Sequence, residues 1–378
     1  MKQLMLFALA VCFASAISAQ YTVRLVITDV ATKKLDDIYV AGSFNSWNPS
    51  DPASKLKPFG PTRRAIVLKN IAPGKYEFKF TRGTWDKVET SAKGEDIANR
   101  VIDVTGDVSL DLTVPGWKDD YPDKPKPNTA TAQVSIIDTA FAIPQLNRTR
   151  RIWIYLPKSY ATLKGKSYPV LYMQDGQNLF NEQTAPFGEW GVDECLDSLQ
   201  KTTGKECIVV GIDNGEGKRM TEYNPYDNTQ YGKGEGKAYA EFLATTLKPF
   251  IDKKYRTLKD AAHTYVAGSS MGALISLYTL MKYPTAFGAA GVLSPSFWLV
   301  PEMYLDVDKT TWPNMPRFYF YAGGEESTTM VKDMDRMLEL IKKKNASYDV
   351  ARFYYPTGKH NEATWRKMFP QFYVWLMR

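Results

Sequence analysis

The sequence predicts two domains of different class: a small, all-β immunoglobulin-like sandwich, then a larger α/β domain built on a mostly parallel sheet. Three observations carry this. Residues 21–114 hold short runs of alternating apolar and polar residues separated by turn formers, with no helical periodicity. From residue 132 onward, apolar strand-like runs alternate with helix-forming stretches, the pattern of a sheet covered on both faces. Between them, residues 115–128 are rich in Pro, Lys and Asp and cannot hold a strand ladder.

The expected order along the chain begins with residues 1–19. A charged Met1-Lys2, an apolar run from Leu4 to Phe13 and small residues up to Ala19 read as a secretory signal cleaved after Ala19, so the protein is expected to be exported, periplasmic or extracellular. Cys12 fits a lipid-attachment site poorly, because Val11 and Phe13 beside it are bulky. Further on, no stretch is long and apolar enough to span a bilayer, so no transmembrane segment is expected. The antiparallel sandwich, residues 20–115, is assigned strands at 22–28, 37–42, 65–68, 75–81 and 108–114, and a semi-rigid linker follows at 116–131. In the α/β domain, 132–378, strands are expected at 151–156, 170–174, 207–212, 264–269, 317–321 and 350–355. Helices are expected at 192–200, 237–253 and 328–344, after Ser270, and at the C-terminus. The runs Val170-Leu171-Tyr172-Met173 and Cys207-Ile208-Val209-Val210-Gly211-Ile212 are apolar without a period of two, as doubly covered strands should be.

The formal net charge is +7, but the Lys and Arg residues are dispersed among acids, which describes a solvated surface and gives no basis for a nucleic-acid partner. Only two histidines and three cysteines occur, with no metal-ligand spacing, so neither a metal nor a cofactor is expected. For Cys195 and Cys207 in an exported chain, a single disulfide and two buried thiols both remain open.

Chemistry concentrates in Thr264-Tyr265-Val266-Ala267-Gly268-Ser269-Ser270-Met271-Gly272, a β-prone run, a glycine-flanked bend and then a helix-forming stretch. A serine on so tight a strand-to-helix turn needs neighbours that lack a Cβ, and the bend lifts the Ser270 hydroxyl clear of the sheet edge. The first N–H groups of the following helix are unpaired, so the Met271 N–H can serve an oxyanion. A serine nucleophile needs a base titrating near neutrality, in practice a histidine. His263 starts the strand that ends at Ser270 and lies roughly 20 Å from it along an extended chain. His360, in the loop Pro356-Thr357-Gly358-Lys359-His360-Asn361-Glu362, is therefore the candidate base, giving the order Ser, acid, His of the α/β-hydrolases.

From Ala132 to the C-terminus the chain resembles the α/β-hydrolase esterases of the esterase D, feruloyl/acetyl-xylan esterase and enterochelin esterase group. The resemblance rests on Arg151-Ile152-Trp153-Ile154-Tyr155-Leu156-Pro157, Tyr172-Met173-Gln174-Asp175-Gly176-Gln177-Asn178-Leu179-Phe180, Glu222-Tyr223-Asn224-Pro225, the serine motif and Leu293-Ser294-Pro295-Ser296-Phe297-Trp298. It implies a second oxyanion donor at the Gln177 N–H and a triad acid at Glu326, with Glu325 beside it as the alternate. Trp190 and Trp298 are candidates to line a substrate subsite, with a core role as the competing and favoured reading for each.

Residues 20–115 resemble the starch- and glycogen-binding sandwich modules through Val40-Ala41-Gly42-Ser43-Phe44-Asn45-Ser46-Trp47, Tyr76-Glu77-Phe78-Lys79-Phe80 and Gly83-Thr84-Trp85. That resemblance implies glycan contacts from Trp47, Lys79, Trp85 and, more loosely, Asn99; a module that only braces the enzyme is the competing reading. The expectation is thus an exported serine esterase acting on a carbohydrate ester, a feruloyl or acetyl group on plant polysaccharide or oligosaccharide. A siderophore esterase of the enterochelin type, and a catalytically degenerate glycan-binding accessory protein, are the alternatives.

Overall fold

A computed structural model describes residues 19–121 and 125–378; the expected signal segment with Cys12 lies outside the described residues. The chain divides into two compact units, at Lys124 and Pro125.

The first unit is made of strands β1 (Tyr21–Val30), β2 (Tyr39–Gly42), β3 (Lys57–Pro58), β4 (Arg64–Ile71), β5 (Gly74–Thr81), β6 (Glu89–Thr90), β7 (Arg100–Val104), β8 (Val108–Val114) and β9 (Gly116–Trp117). They form a four-stranded sheet in the order β3-β4-β1-β8, a three-stranded sheet β2-β5-β7 and the small pair β6-β9. The sandwich is not wholly antiparallel as expected, because β1 and β8 pair in parallel from Val23↔Val108 to Val30↔Val114. The first strand of the unit and one near its end thus lie side by side and run the same way. Between the sheets, Leu25, Ile27, Val40, Phe78, Phe80 and Val104 are buried.

The expected linker begins too early. Gly116 and Trp117 pair with Thr90 and Glu89, and Trp117 is fully buried, its indole N–H donating to the Thr32 carbonyl at 3.2 Å. Burying so large an apolar ring outweighs the local Pro-Gly signal. At the other end, Thr129 Oγ1 donates to Glu189 Oε2 at 2.8 Å and the Thr131 N–H to Asp193 Oδ2 at 2.7 Å, so these residues belong to the second unit.

The second unit is an eight-stranded sheet in the order β10-β11-β13-β12-β14-β15-β16-β17. Strands β10 (Val134–Ile143) and β11 (Arg148–Tyr155) form an antiparallel hairpin, β11 pairs antiparallel with β13, and the remaining pairs are parallel. Those parallel strands are β12 (Val170–Gln174), β13 (Ile208–Ile212), β14 (Thr264–Ser269), β15 (Ala289–Leu293), β16 (Arg317–Gly323) and β17 (Asp349–Tyr355). Strand β12 precedes β13 yet lies between β13 and β14, so the chain reverses its direction of travel at β12. At such a switch point the loops after neighbouring strands part, leaving a crevice at the carboxyl ends.

Every residue of β12, β13, β14 and β15 is buried, which explains why none of them alternates apolar with polar residues. Successive side chains feed opposite layers: Val170 and Tyr172 join one core with Leu274 and Met334, Leu171 and Met173 the other with Trp365 and Phe369. The helices carrying these residues are α6 (Met271–Lys282), α8 (Met330–Lys344) and α9 (Glu362–Leu376), counted after α1 (Ser159–Thr162), α2 (Val192–Thr203), α3 (Arg219–Glu222), α4 (Gly236–Phe242) and α5 (Lys248–Lys254), with α7 (Glu302–Lys309) between α6 and α8. Helix α6 is buried from Met271 to Met281, fitting a sequence apolar on nearly all sides. The helix expected over 237–253 is interrupted by a π turn at Leu243–Leu247. Pro249 in the first turn of α5 has no N–H and would crowd the carbonyl four residues back, and the wider turn relieves both.

Cys195 and Cys207 are both free, so the open question of a disulfide resolves to two thiols. Burial pushes each thiol up to about 12, with Glu194 adding to the rise at Cys195. Alkylation of the denatured, unreduced protein should modify both residues, while brief treatment of the native protein near neutral pH should leave Cys207 intact. Recovery of a disulfide-linked pair of peptides by mass spectrometry would contradict the assignment.

Candidate active site

Ser270 caps α6 immediately after β14, with φ 58° and ψ −121°. The bend is possible because its neighbours are bare. A Cβ on Gly268 would lie 2.7 Å from the Gly272 carbonyl carbon, and one on Gly272 would lie 3.0 Å from the Gln174 Cβ. The Ser270 N–H donates to the Leu293 carbonyl at 3.0 Å, tying the turn to the end of β15.

Ser270 Oγ lies 3.0 Å from His360 Nε2, and His360 Nδ1 lies 2.9 Å from Glu326 Oε2. The Glu326 side chain is fully buried, whereas that of His360 is 35% exposed. Glu326 Oε1 accepts hydrogen bonds from Ser294 Oγ at 2.7 Å and from the Gly323 N–H at 2.6 Å. The loops after β16 and β17 are fastened together by the Gly324 N–H to the Tyr355 carbonyl and the Glu325 N–H to the Gly358 carbonyl, each 2.9 Å. The approach is too close for side chains: a Cβ on Gly323 would sit 2.3 Å from the Gly358 oxygen. Glu326 occupies the turn before α8, which begins at Met330. Glu325 points away, half exposed, with Lys359 Nζ at 3.9 Å. His263 is also elsewhere, at the amino end of β14, where its Nδ1 faces both Asp260 carboxylate oxygens at 2.9 Å.

Met271 is the first residue of α6, so its N–H belongs to the unpaired first turn beside Ser270. Gln177 sits in the short turn Gly176–Asn178 after β12. That turn is pressed against β13, since a Cβ on Gly176 would lie 2.8 Å from Gly211 and Ile212 backbone atoms. Asp175 before it takes up φ 57° and is clamped by Arg219 Nε and Nη2 at 2.7 and 3.0 Å and by Asn214 Nδ2 at 2.7 Å. Burial works against the Arg219 charge, and Asp175 more than compensates, raising its affinity for the proton.

Gln177, Ser270 and His360 share one cavity of about 990 Å³, together with Arg219, Glu362 and Trp365. Burial pushes the Glu362 carboxyl up, with Asp175 contributing. Trp190 lines this cavity while packing on Trp365 at 5.7 Å. Trp298 does not line it and is 61% exposed. The turn Phe297–Leu299 directs its two flanking side chains inward and the central one out, correcting the expectation for Trp298.

Three contributors carried no residue-level expectation: Ser294, Ser296 and Trp365. Ser296 Oγ lies 3.1 Å from Ser270 Oγ, and the Trp365 indole N–H donates to Ser294 Oγ at 2.9 Å. The two serines lie within a motif already visible in the sequence, but Trp365 offers no local signal separating it from a core residue.

In the first unit, Trp47 is half-buried and Trp85 41% exposed, their rings 6.2 Å apart at 40°. Lys79 Nζ donates to the Ile97 carbonyl at 2.6 Å and Asn99 Nδ2 to Glu77 Oε2 at 2.9 Å, so both polar candidates have partners within the module. Among the described residues, no group of three or more His, Cys, Asp and Glu side chains could hold a metal ion.

A parallel sheet with its crevice at a strand switch, and a serine on the sharp turn after the central strand, define an α/β-hydrolase. Residues 143–376 match the Esterase family model, and the chain belongs to that family. It is 26% identical over 225 residues to an endo-1,4-beta-xylanase/feruloyl esterase of Xylanibacter ruminicola, covering 57% of this chain and 27% of that protein. A stretch of 83 residues is 42% identical to an alpha-amylase of Niallia circulans, covering 22% of this chain and 6% of that one. The structure of the enterochelin esterase of Shigella flexneri aligns over 90% of this chain and 87% of its own, with TM-score 0.53 and 16% identity, a likeness of fold.

If the observed geometry is that of a working triad, Ser270→Ala and His360→Ala should each lower kcat for a simple ester on the order of 10³-fold or more, and the double variant should be hardly worse. Glu326→Gln should cost roughly 10²-fold to 10⁴-fold. Steady-state kinetics showing Glu325→Gln to be the more damaging would reverse the choice of acid.

Proposed function

We propose that this protein is an exported serine esterase that hydrolyses feruloyl or acetyl esters on plant polysaccharide or its oligosaccharides. The observation that carries the catalytic part is the unbroken hydrogen-bonded series Ser270–His360–Glu326 opening on a single cavity in a member of an esterase family. In the proposed reaction, His360 Nε2 takes the Ser270 proton as Oγ attacks the ester carbonyl carbon. The N–H groups of Met271 and Gln177 hold the resulting oxyanion, which needs donors already in place because charge appears there only in the transition state. Collapse breaks the ester C–O bond, and His360 returns the proton to the departing alcohol. Water, activated by the same imidazole, then releases the acid from Ser270. Glu326 orients His360 and stabilises its charged form throughout.

The choice of a carbohydrate ester draws support from the feruloyl esterase name of the Xylanibacter relative and from the character of the cavity. Its charged side chains are Lys126, Arg151 and Arg219 against Asp175, Asp213, Glu216 and Glu362, one more acid than base. Arg151 and Arg219 are already paired, with Asp213 and Asp175. Such a wall suits a neutral, hydroxyl-rich substrate and opposes a multiply anionic ferric catecholate, the substrate of the siderophore alternative. At the rim stands Phe187, 79% exposed, an apolar face of the kind that sugar and phenol rings stack upon.

On a panel of methyl ferulate, acetylated xylan and a ferric trilactone siderophore, the first two should be turned over with the higher kcat/KM. Preference for the siderophore by tenfold or more would favour the alternative.

The sandwich is proposed to hold glycan through the half-buried Trp47 and the exposed Trp85, and the amylase match has the length of such a module. One ring stacked on an aromatic face is worth about 1 kcal/mol, so binding should be closer to millimolar than nanomolar. Titrating the full chain with α-glucan and xylan oligosaccharides should change tryptophan fluorescence saturably, and Trp85→Ala should weaken that response. No saturable change with any of them leaves the module a brace.

A further inference from the structure

Strand β15 ends in a turn that touches both ends of the proposed triad. Ser296 meets the Ser270 hydroxyl, and Ser294, two residues earlier, meets the acid. Ser294 is fully buried, with φ 49° and its N–H donating to the Tyr321 carbonyl at 2.7 Å. Its hydroxyl stands between two groups of fixed polarity. The Trp365 indole can only donate, and it does so to Ser294 Oγ at 2.9 Å. That contact occupies the oxygen as an acceptor and leaves the single hydroxyl proton to be donated to Glu326 Oε1 at 2.7 Å.

The consequence reaches His360. Oε1 already receives the Gly323 N–H at 2.6 Å as well as the Ser294 proton. With two donors aimed at it, Oε1 is an acceptor only, and the remaining oxygen, Oε2, faces His360 Nδ1. If Oε2 carried a proton it would donate to Nδ1 and leave the wrong imidazole nitrogen bare. With Oε1 taken by two donors, the carboxylate meets the imidazole through Oε2 alone, and as an acceptor there it pairs with Nδ1–H and leaves the Nε2 lone pair facing Ser270. Trp365 adds a second constraint, since its ring stands edge-on to the imidazole with centroids 5.0 Å apart at 81°.

We infer that Ser294 and Trp365 are positioning residues: their hydrogen-bonded series fixes the direction of the protons around Glu326 and thereby the tautomer and orientation of His360. This rests on the proposed roles of Ser270, His360 and Glu326, and neither residue touches the reacting atoms.

The test is steady-state kinetics on 4-nitrophenyl acetate with Ser294→Ala, Trp365→Phe and the double variant, each checked for folding by its melting temperature. Alanine keeps the Cβ at φ 49°, and phenylalanine keeps an aromatic face on His360 while removing the N–H. Loss of a hydrogen bond to a charged group corresponds to roughly 10-fold to 100-fold, so Ser294→Ala should lower kcat by about that factor with KM within about twofold. Trp365→Phe should cost less, and the double variant should resemble Ser294→Ala, because the indole acts through the hydroxyl. The downfield proton resonance of the His360–Glu326 hydrogen bond should shift in both single variants. Wild-type kcat in a folded Ser294→Ala variant would overturn the inference, as would losses that multiply in the double variant or fall on KM. Ser270→Ala is run alongside: if it is fully active the triad reading itself fails, whereas an inactive Ser270→Ala beside a normal Ser294→Ala rejects the positioning role alone.

Discussion

Everything at the site depends on the backbone of one residue, Ser270, held at φ 58° and ψ −121° between a strand and a helix. A non-glycine residue there costs on the order of 1–3 kcal/mol, and it persists only where the surroundings leave no other option. Here they do so on three sides. Gly268 and Gly272 press against each other and against Gln174 without room for a Cβ, the Ser270 N–H is fastened to Leu293, and β14 and α6 are buried nearly throughout. The strain is thus offset by the core of the second unit, which aims the serine hydroxyl outward at the sheet edge.

The parallel topology supplies the rest. Because β12 lies between β13 and β14, the loops carrying Gln177 and Ser270 leave neighbouring strands at the same end of the sheet. Strands β16 and β17 end beside them and deliver Glu326 and His360 on loops locked together by glycines too close for side chains. Four loops converge because the strands beneath them are fixed. Of the proposed triad, Glu326 is the most deeply enclosed member and His360 the most accessible, as would suit its proposed part in exchanging protons with a substrate.

Much of this was legible in the sequence, for identifiable reasons. Ser270 announces itself because its bend demands glycines at set positions, and His360 follows because a chain with two histidines leaves little choice once one lies at the wrong end of a strand. The doubly covered strands β12 and β13 were visible as apolar runs, whereas β15 was missed because Ala289, Ala290 and Gly291 offer no large apolar side chain. The β10–β11 hairpin was half missed because β10 has a largely exposed pattern, and β7 because Val101 within it faces solvent. Trp117 was read as linker because Pro115 and Gly116 are strong local signals, while its burial is decided by residues distant in sequence. Trp298 was a candidate to line the site or the core because it follows a strand end, but a three-residue turn can face only some of its side chains inward. Ser294 and Trp365 were beyond reach: their contacts join the end of β15, the turn after β16 and the helix α9, an arrangement no local pattern encodes.

The central claim is that Ser270, activated by His360, is the nucleophile of an esterase, and covalent labelling tests it most directly. The intact protein is treated with a fluorophosphonate, which reacts with serines made nucleophilic by a neighbouring base, and the site of attachment is read by peptide mass spectrometry. One phosphonyl group per chain on Ser270, strongly diminished in a folded His360→Ala variant, is the predicted result. Attachment at another residue, or no attachment to a protein that still hydrolyses esters, would contradict it.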